Sequence, residues 1–507
     1  MAKFASNSKV ARKAPPGKVV VCNAAGGPGY LQSSKLEFVS ILLTSFVQDQ
    51  FYRSESGTIL RVKELLKTVD PIFAAKAALF ARNEFGMRSI SHVVAAEIAH
   101  AVKGQSWTKG FFDLVSRRAD DPSEILAYYM ATYGKPIPNS LKKGLGLALN
   151  RFSEYSLAKY RRESSAFTLV DTVNLVFGVK PRPLRKDGKV WVDRGLSVGL
   201  GKLLRGELAA ADTWENKLTQ AGQNAETEEN KTELKAQAWA ELIREKKLGY
   251  LALIRNLRNI VSSADSELIK LVCDQLVNRE SIKKSLVFPF QINTAYEIVS
   301  GLSAAYSRKL MSALDDAIDI ACDNVPKLGG DSVIFLDVSG SMQGKCSDIA
   351  SIFAAVICKA WDADLIMFES TSRYVNYNKK DSTMSLSRAL KFNGGGTNMP
   401  SAVQLMNRKY DRILILSDMQ TWIGGNTNSV LSAYQRKFGV KPWVYSFDLN
   451  GQGTMAFPED RVAAIAGFSD KIFKVMSLLE QDKDAMVHTI ENVSLVRPPK
   501  SEKTVEE

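Results

Sequence analysis

The chain has 507 residues, of which 45 % are hydrophobic, and it carries a net charge of +13. This length and composition are sufficient for two or more domains with packed cores. No apolar run approaches the ~18 residues that a membrane span needs, and the basic N-terminal segment has no apolar signal core, so we expect a soluble protein with no membrane partner. The 5 cysteines are scattered without zinc-binding spacing, which favours a reduced, cytoplasmic protein.

The excess positive charge lies in the first two thirds of the chain. Residues 1–330 hold 47 basic and 34 acidic residues, whereas residues 331–507 hold 20 of each. Within the first part, residues 135–205 hold 15 basic and 5 acidic residues. Such a dense cluster favours a polyanionic partner, with nucleic acid as the first candidate. The alternative is a solvated face that raises solubility.

From about residue 33 to residue 323, hydrophobic residues recur at helical spacing. The clearest predicted helices span 35–52, 72–86, 89–104, 123–134 and 140–152. His92 and His100 lie on an apolar helical stretch and are interpreted as structural. Successive short amphipathic helices without intervening strands predict an α-solenoid of stacked helix pairs.

The helical pattern is interrupted once and then resumes. Residues 220–237 are polar and acidic, which indicates a solvated loop or an exposed helix start. Residues 239–261 return to a strong helical pattern, with Arg255, Arg258 and Asn259 along its polar edge.

After a short Gly-containing hinge at 328–330, the pattern changes from helices to alternating strands and helices. Apolar runs of strand length occupy 333–337, 363–370, 412–418 and 443–449, and helical stretches at 346–361 and 427–439 lie between them. This alternation predicts a doubly wound α/β domain with a largely parallel sheet. We therefore divide the chain into a helical part, 1–329, and an α/β part, 330–507.

Five oxygen-bearing side chains follow strands or a glycine-rich loop in the second part. They are Asp337, Ser339, Ser341, Thr397 and Asp418. Open α/β sheets place their sites at the carboxyl ends of the strands, so these residues are expected at one edge. Oxygen donors without His or Cys suit a hard cation such as Mg²⁺ or another divalent cation. The alternative is a set of helix N-caps and turn hydroxyls, with Ser341 capping the helix near 346 and Asp418 capping its own loop.

This ordered set resembles the metal-ion-dependent adhesion site of von Willebrand factor A domains. The helical part resembles the TROVE module of the Ro ribonucleoprotein autoantigen and its bacterial relatives. The similar segments of the helical part are NAAGGPGY (23–30), TWENKL (213–218), WAELIREKKLGYLALIRNLRNI (239–260) and FPFQINTAY (288–296). GFSDKIFKVM (467–476), near the end of the α/β part, also resembles that family. The resemblance extends over nearly the whole chain.

The resemblance implies a ring of HEAT-like helical repeats at 1–329, followed by an A-like domain at 330–507. It implies binding of small noncoding Y-like RNA and of single-stranded 3′ ends of misfolded or fragmentary RNA, in RNA quality control or degradation. It also implies work with an exoribonuclease such as polynucleotide phosphorylase. The chain itself is expected to bind and not to catalyse.

The RNA-binding residues rest on the resemblance and on charge. Lys159, Arg161 and Arg162 match basic positions of the family's RNA-binding helix, and Leu169 and Phe177 stand near places where the family has histidines. The neighbouring Lys142, Lys143 and Arg151 extend the patch by charge alone, and the basic insert at 180–195 is either a further RNA contact or an exposed loop.

Two other classes of function are alternatives to this one. The first is a protein-interaction adaptor that grips an acidic partner through the cation site. The second is a metal-dependent nuclease, which is disfavoured because such sites usually hold several acids and often two metals.

Overall fold

The structure is a computed structural model that describes residues 20–22, 28–30, 34–44, 55–161, 167–178, 195–211, 213–225, 227–262, 264–302, 306–418, 427–449, 461–465, 472–481 and 485–497. Arg162, most of the 180–195 insert and part of the 467–476 segment lie outside the described residues. Within the described ranges, no helix combines the length and hydropathy that crossing a bilayer requires.

The first part of the chain is helical apart from a small antiparallel ribbon, which pairs β1 (Val20–Cys22) with β2 (Pro28–Tyr30). The helices that follow are α1 (Ser34–Thr44), α2 (Glu55–Leu66), α3 (Pro71–Glu84), α4 (Ser89–Ala101), α5 (Trp107–Val115), α6 (Asp121–Tyr133), α7 (Asn139–Arg151), α8 (Glu154–Lys159), α9 (Leu169–Phe177), α10 (Val198–Arg205), α11 (Trp214–Gln223), α12 (Glu228–Arg244), α13 (Tyr250–Arg255), α14 (Leu257–Val261), α15 (Ser266–Leu276), α16 (Arg279–Ser285), α17 (Pro289–Ser300) and α18 (Ser307–Ala321).

Helices close in sequence pack against each other, as in the pairs α3/α4, α5/α7, α11/α12 and α17/α18. The approach of α7 to α5 depends on Gly144. A Cβ atom at this position would lie 2.5 Å from the Cβ of Phe112 and 2.6 Å from the carbonyl oxygen of Lys109. The predicted succession of stacked helices is therefore confirmed, and one glycine sets the spacing of a pair.

The hydrophobic pattern of residues 239–261 suggests one helix, but the structure divides this stretch into separate helices. Helix α12 ends at Arg244, and α13 and α14 follow as two short pieces. The chain turns between α12 and α13 because Lys246 adopts a φ of 55° and Gly249 provides the N-cap of α13. The polar segment at 220–237 is largely helical and forms the end of α11 and the exposed start of α12.

The second part contains a six-stranded sheet in the order β5-β4-β3-β6-β7-β8. Its strands are β3 (Ser332–Asp337), β4 (Asp364–Phe368), β5 (Ser372–Tyr374), β6 (Arg412–Ser417), β7 (Trp443–Asp448) and β8 (Val462–Ile465). All neighbouring strands are parallel except β5, which is an antiparallel edge. The helices are α19 (Lys345–Trp361), α20 (Thr383–Ala389), α21 (Met399–Leu405), α22 (Thr427–Phe438), α23 (Ile472–Gln481) and α24 (Ala485–Glu491).

The central strand β3 is buried along its whole length and faces two cores. Val333 and Phe335 belong to a core inside the α/β part. Ile334 and Leu336, on the opposite face, belong to a core that continues into the helical part. Alternation of side chains along a strand assigns successive residues to opposite faces, so the sheet joins the two parts of the chain through one of its faces.

The α/β part contacts both ends of the helical part. At the later helices, the ring of Phe473 lies 6.1 Å from that of Phe288, and Asp319 accepts a hydrogen bond of 2.8 Å from the backbone N–H of Thr383.

At the early helices, the contacts include ion pairs: Glu491 lies 3.2 Å from Lys35, and Arg497 lies 3.1 Å from Asp113. The α/β part thus closes the row of helices into a ring, and the predicted fold class is confirmed.

Candidate metal centre and nucleic-acid interface

Two acidic residues meet where the winding of the sheet changes direction. Asp337 is the last residue of β3, and Asp418 directly follows β6, the parallel strand beside it. The chain leaves β3 toward β4 on one side and later returns to β6 on the other. Such a switch point leaves a crevice at the carboxyl ends of the strands, so the sheet itself places both carboxylates at a typical binding position.

The Asp337 carboxylate organises the loop that follows β3. The side chain is fully buried, its Oδ1 accepts a 2.9 Å hydrogen bond from the backbone N–H of Ser339, and its Oδ2 accepts one of 2.6 Å from the hydroxyl of Ser417. The hydroxyl oxygens of Ser339 and Ser341 lie 3.2 Å apart. Sequence reasoning missed Ser417, although it directly precedes Asp418 in the strand.

The glycine-rich loop that carries Thr397 packs onto the loop after β3. The N–H of Gly394 donates to the carbonyl of Val338 at 3.2 Å, and the N–H of Gly340 donates to the carbonyl of Gly395 at 3.3 Å. Gly394 and Gly395 have φ values of 84° and 112°, which side chains with a Cβ rarely adopt. Thr397 is buried at the end of this loop, so the predicted loops do come together.

The electrostatics of the crevice favour a cation. Burial raises the pKa of Asp337 to about 6, and the neighbouring charge of Asp418 raises it too, although hydrogen bonds from Ser417 and Ser339 lower it. Two buried carboxylates and nearby hydroxyls form an all-oxygen donor set that fits Mg²⁺ or Mn²⁺.

Ser341 does not cap the helix that follows it, because Gly344 provides the N-cap of α19 and no side chain caps it there. The loop after Asp418 lies outside the described residues. The metal site stays a prediction that these residues fit.

The predicted nucleic-acid interface lies on α7 and α8. Lys143 and Lys159 are exposed, whereas Lys142 and Arg161 are half-buried. The ammonium group of Lys159 lies 5.9 Å from the ring centroid of Tyr155, and Tyr155 is 52 % exposed. Two successive helices therefore offer basic groups, and one of them adds an accessible aromatic ring.

Arg151 has a different environment from the lysines beside it. Its guanidinium donates to Asp113 Oδ1 at 3.1 Å and to the carbonyls of Asp113 and Ser116 at the end of α5. Burial lowers the pKa of Arg151, and the charge of Asp113 opposes that shift. Arg151 therefore links α7 to α5. Its position in a basic run of the sequence does not reveal this contact.

Comparisons with known proteins give consistent matches. The family model of the TROVE domain matches residues 201–327. Among curated proteins, Telomerase protein component 1 of Rattus norvegicus is 21 % identical over 357 residues, covering 55 % of this chain and 13 % of that protein. RNA-binding protein RO60 of Deinococcus radiodurans is 24 % identical over 260 residues, covering 45 % of this chain and 49 % of that protein. The chain thus spans less than half the length of each of these curated relatives.

Among solved structures, the crystal structure of the RO (RSR) protein of Deinococcus radiodurans has a similar fold. The TM-score is 0.63 at 18 % sequence identity, and the superposition covers 88 % of this chain and 99 % of the other. This likeness extends over both the helical part and the α/β part.

Proposed function

Since the chain is a bacterial-type relative of the Ro ribonucleoprotein family, we propose that it is an RNA-binding ribonucleoprotein scaffold. The observation that carries the proposal is the set of exposed basic and aromatic side chains on α7 and α8, namely Lys143, Tyr155 and Lys159. It lies in the segment with the largest excess of basic residues. The similarity to RNA-binding protein RO60 of Deinococcus radiodurans supports the same chemistry.

The surface is suited to a phosphate backbone more than to a particular sequence. Within the part of the chain that the structure describes, Lys143 and Lys159 have no carboxylate within ion-pair distance, in contrast to Lys202, which pairs with Glu154 at 2.8 Å. Lysines that are not engaged by acids are available to neutralise phosphates, and Tyr155 offers a face for a base. Binding should therefore be strongly dependent on salt.

We further propose small Y-like RNA and single-stranded 3′ ends of misfolded RNA as the ligands, and a role in RNA quality control beside an exoribonuclease such as polynucleotide phosphorylase. In this proposal the ring holds RNA and the degrading enzyme is a separate protein. The cytoplasm is the compartment that fits such a role.

The test is retardation of a structured RNA with a single-stranded 3′ tail, compared with a blunt duplex, over a range of salt. We expect preferential, salt-sensitive binding of the tailed RNA. The double variant Lys159→Glu/Arg161→Glu should bind it more weakly. The matched control is Arg373→Glu/Lys380→Glu, which reverses two exposed charges in the α/β part and should bind normally. Equal weak binding of both RNAs at all salt concentrations would contradict the proposal.

A second candidate function is a Mg²⁺-dependent adaptor that grips an acidic partner at the sheet edge. The observation that favours it is the buried pair Asp337 and Asp418 beside the two serines after β3. When bound, the cation would offer an open coordination position to a carboxylate of the partner.

The adaptor is tested by recovery of partner proteins with and without chelator. Wild-type protein should lose its partner on chelation, and Asp337→Ala should fail to retain it even with Mg²⁺. Partner recovery that neither treatment changes would contradict this role.

A further inference from the structure

The loop between α5 and α6, residues 116–120, is hydrogen-bonded through its backbone to one buried carboxylate. Asp121 is fully buried, and its Oδ2 accepts hydrogen bonds of 2.9 Å from the backbone N–H groups of both Arg117 and Arg118. The same carboxylate accepts from Arg82 at 2.8 Å and from Arg88 at 2.7 Å. The backbone of the loop is therefore fixed by bonds from its N–H groups, and these bonds do not use the side chains of Arg117 and Arg118.

The environment of Asp121 keeps it ionised. Burial alone would raise its pKa, but His92, 3.2 Å away, and Arg82 hold the pKa of this carboxyl well below its usual range. A charged acceptor makes stronger hydrogen bonds than a neutral one, so the anchor of the loop persists over the physiological pH range.

The anchored loop points one of its arginines at the proposed RNA surface. The guanidinium carbon of Arg118 lies 4.3 Å from the ring centroid of Tyr160, and the ammonium of Lys159 lies 5.6 Å from the same centroid. Arg117 is exposed, with a hydrogen bond to Asn83 Oδ1 at 2.9 Å. The loop thus continues the basic surface of α8, although about forty residues separate the two in sequence.

The charge balance leaves this junction open to an anion. Asp120 accepts two hydrogen bonds from Arg118, from Nε at 3.1 Å and from Nη2 at 3.0 Å, and it also pairs with Arg88 at 2.7 Å. Two cations, Arg118 and Lys159, therefore flank one aromatic ring while a single shared carboxylate faces one of them. A phosphate at this junction would bring negative charge next to Arg118 and Lys159 and would accept a charge-assisted hydrogen bond from the Nη1 group of Arg118, which Asp120 does not engage.

We infer that Arg117 and Arg118 of the α5–α6 loop bind backbone phosphates of the RNA and form one continuous interface with Lys159 and Tyr160. This inference rests on the proposed function, because it extends the same surface. This interface contacts the phosphates of the RNA and not its bases. Its charged groups are cations, and Arg118 already occupies the face of its one aromatic ring, that of Tyr160.

The test measures the affinity for the tailed RNA as a function of salt for Arg117→Ala/Arg118→Ala. Both substitutions keep the backbone N–H groups that Asp121 anchors. Loss of two phosphate contacts on a single strand should reduce the slope of log affinity against log salt by about 1.4 and the affinity by roughly tenfold or more. Arg117→Lys/Arg118→Lys should keep most of the salt slope, because it keeps both charges.

The matched control is Arg373→Ala/Lys380→Ala, which removes the same two units of charge from the α/β part and should leave the slope unchanged. An equal loss of slope in this control would overturn the inference in favour of a general charge effect. A wild-type slope in the loop variant, while Lys159→Glu/Arg161→Glu weakens binding, would overturn the inference and leave the proposed function standing. Unchanged binding in both the loop and the α8 variants would contradict the proposed function itself.

Discussion

Replacing Asp121 by asparagine should loosen the part of the ring that carries the α5–α6 loop. Asparagine has nearly the same shape, but it is neutral and presents an NH₂ group in place of one acceptor oxygen. Arg82, whose side chain is 9 % exposed, would be left buried without its counter-charge. Removing one partner of a buried ion pair typically costs about 3–5 kcal/mol.

Hydrogen exchange is the suitable assay, because a chain with two packed parts need not unfold in one step and exchange reports local opening. An opening free energy smaller by 3 kcal/mol or more corresponds to roughly a hundredfold faster exchange. The effect should be concentrated in α3 to α6, which supply the cluster, and should be small in β3 and β6 of the sheet.

Asp323→Asn is the matched control, because Asp323 is an exposed carboxylate that lies 3.7 Å from Arg279 and its side chain is 78 % exposed. Exposed pairs of this kind contribute at most about 1 kcal/mol. Exchange in α3 to α6 that is no faster in Asp121→Asn than in Asp323→Asn would refute the reasoning that the loop depends on a buried charge.

Three further predictions concern the pH dependence of the Asp121 cluster, the contact of α7 with α5, and the cation site. The pKa of Asp121 is lower in the folded state than in the unfolded state. Its contribution to stability is therefore complete above the unfolded-state pKa near 4 and is lost as pH falls below that value. Wild-type α3 to α6 should lose protection from exchange below about pH 4, and Asp121→Asn should show less of this loss. Arg151→Ala should speed exchange at the contact of α7 with α5, where Asp113 and two carbonyls lose a donor, and should change the salt slope of RNA binding less than Lys159→Ala does. Asp337→Asn should abolish Mn²⁺ binding in calorimetry while the affinity for the tailed RNA stays at the wild-type value.

The strands of the α/β part and the acidic residues at their ends could be predicted because both follow from apolar runs in the sequence. Each apolar run of strand length ended close to where the structure ends the strand, and parallel strands bring their carboxyl ends to one edge. Asp337 and Asp418 therefore met as expected. Ser417 was missed because the apolar pattern of β6 does not show that the hydroxyl of its last residue donates to Asp337.

The basic surface was less predictable, because charge along the sequence does not reveal which side chains are engaged. Arg151 has the same local pattern as Lys143, yet the carbonyls at the end of α5 occupy its guanidinium. Arg118 lies outside the basic segment but reaches Tyr160 through the packing of the helices. The turn between α12 and α13 includes Lys246 with a positive φ, and Asn256 separates α13 from α14, neither of which hydrophobic periodicity can show.

Sequencing of the RNA that copurifies with the protein tests the central claim most directly. Wild-type protein and Lys159→Glu/Arg161→Glu would be purified side by side from the same cells at moderate salt. We predict that small structured RNAs and RNAs with single-stranded 3′ ends are enriched on the wild type and reduced on the variant. Recovery of no RNA above background on the wild-type protein, or of the same RNAs in equal amounts on the variant, would contradict the account.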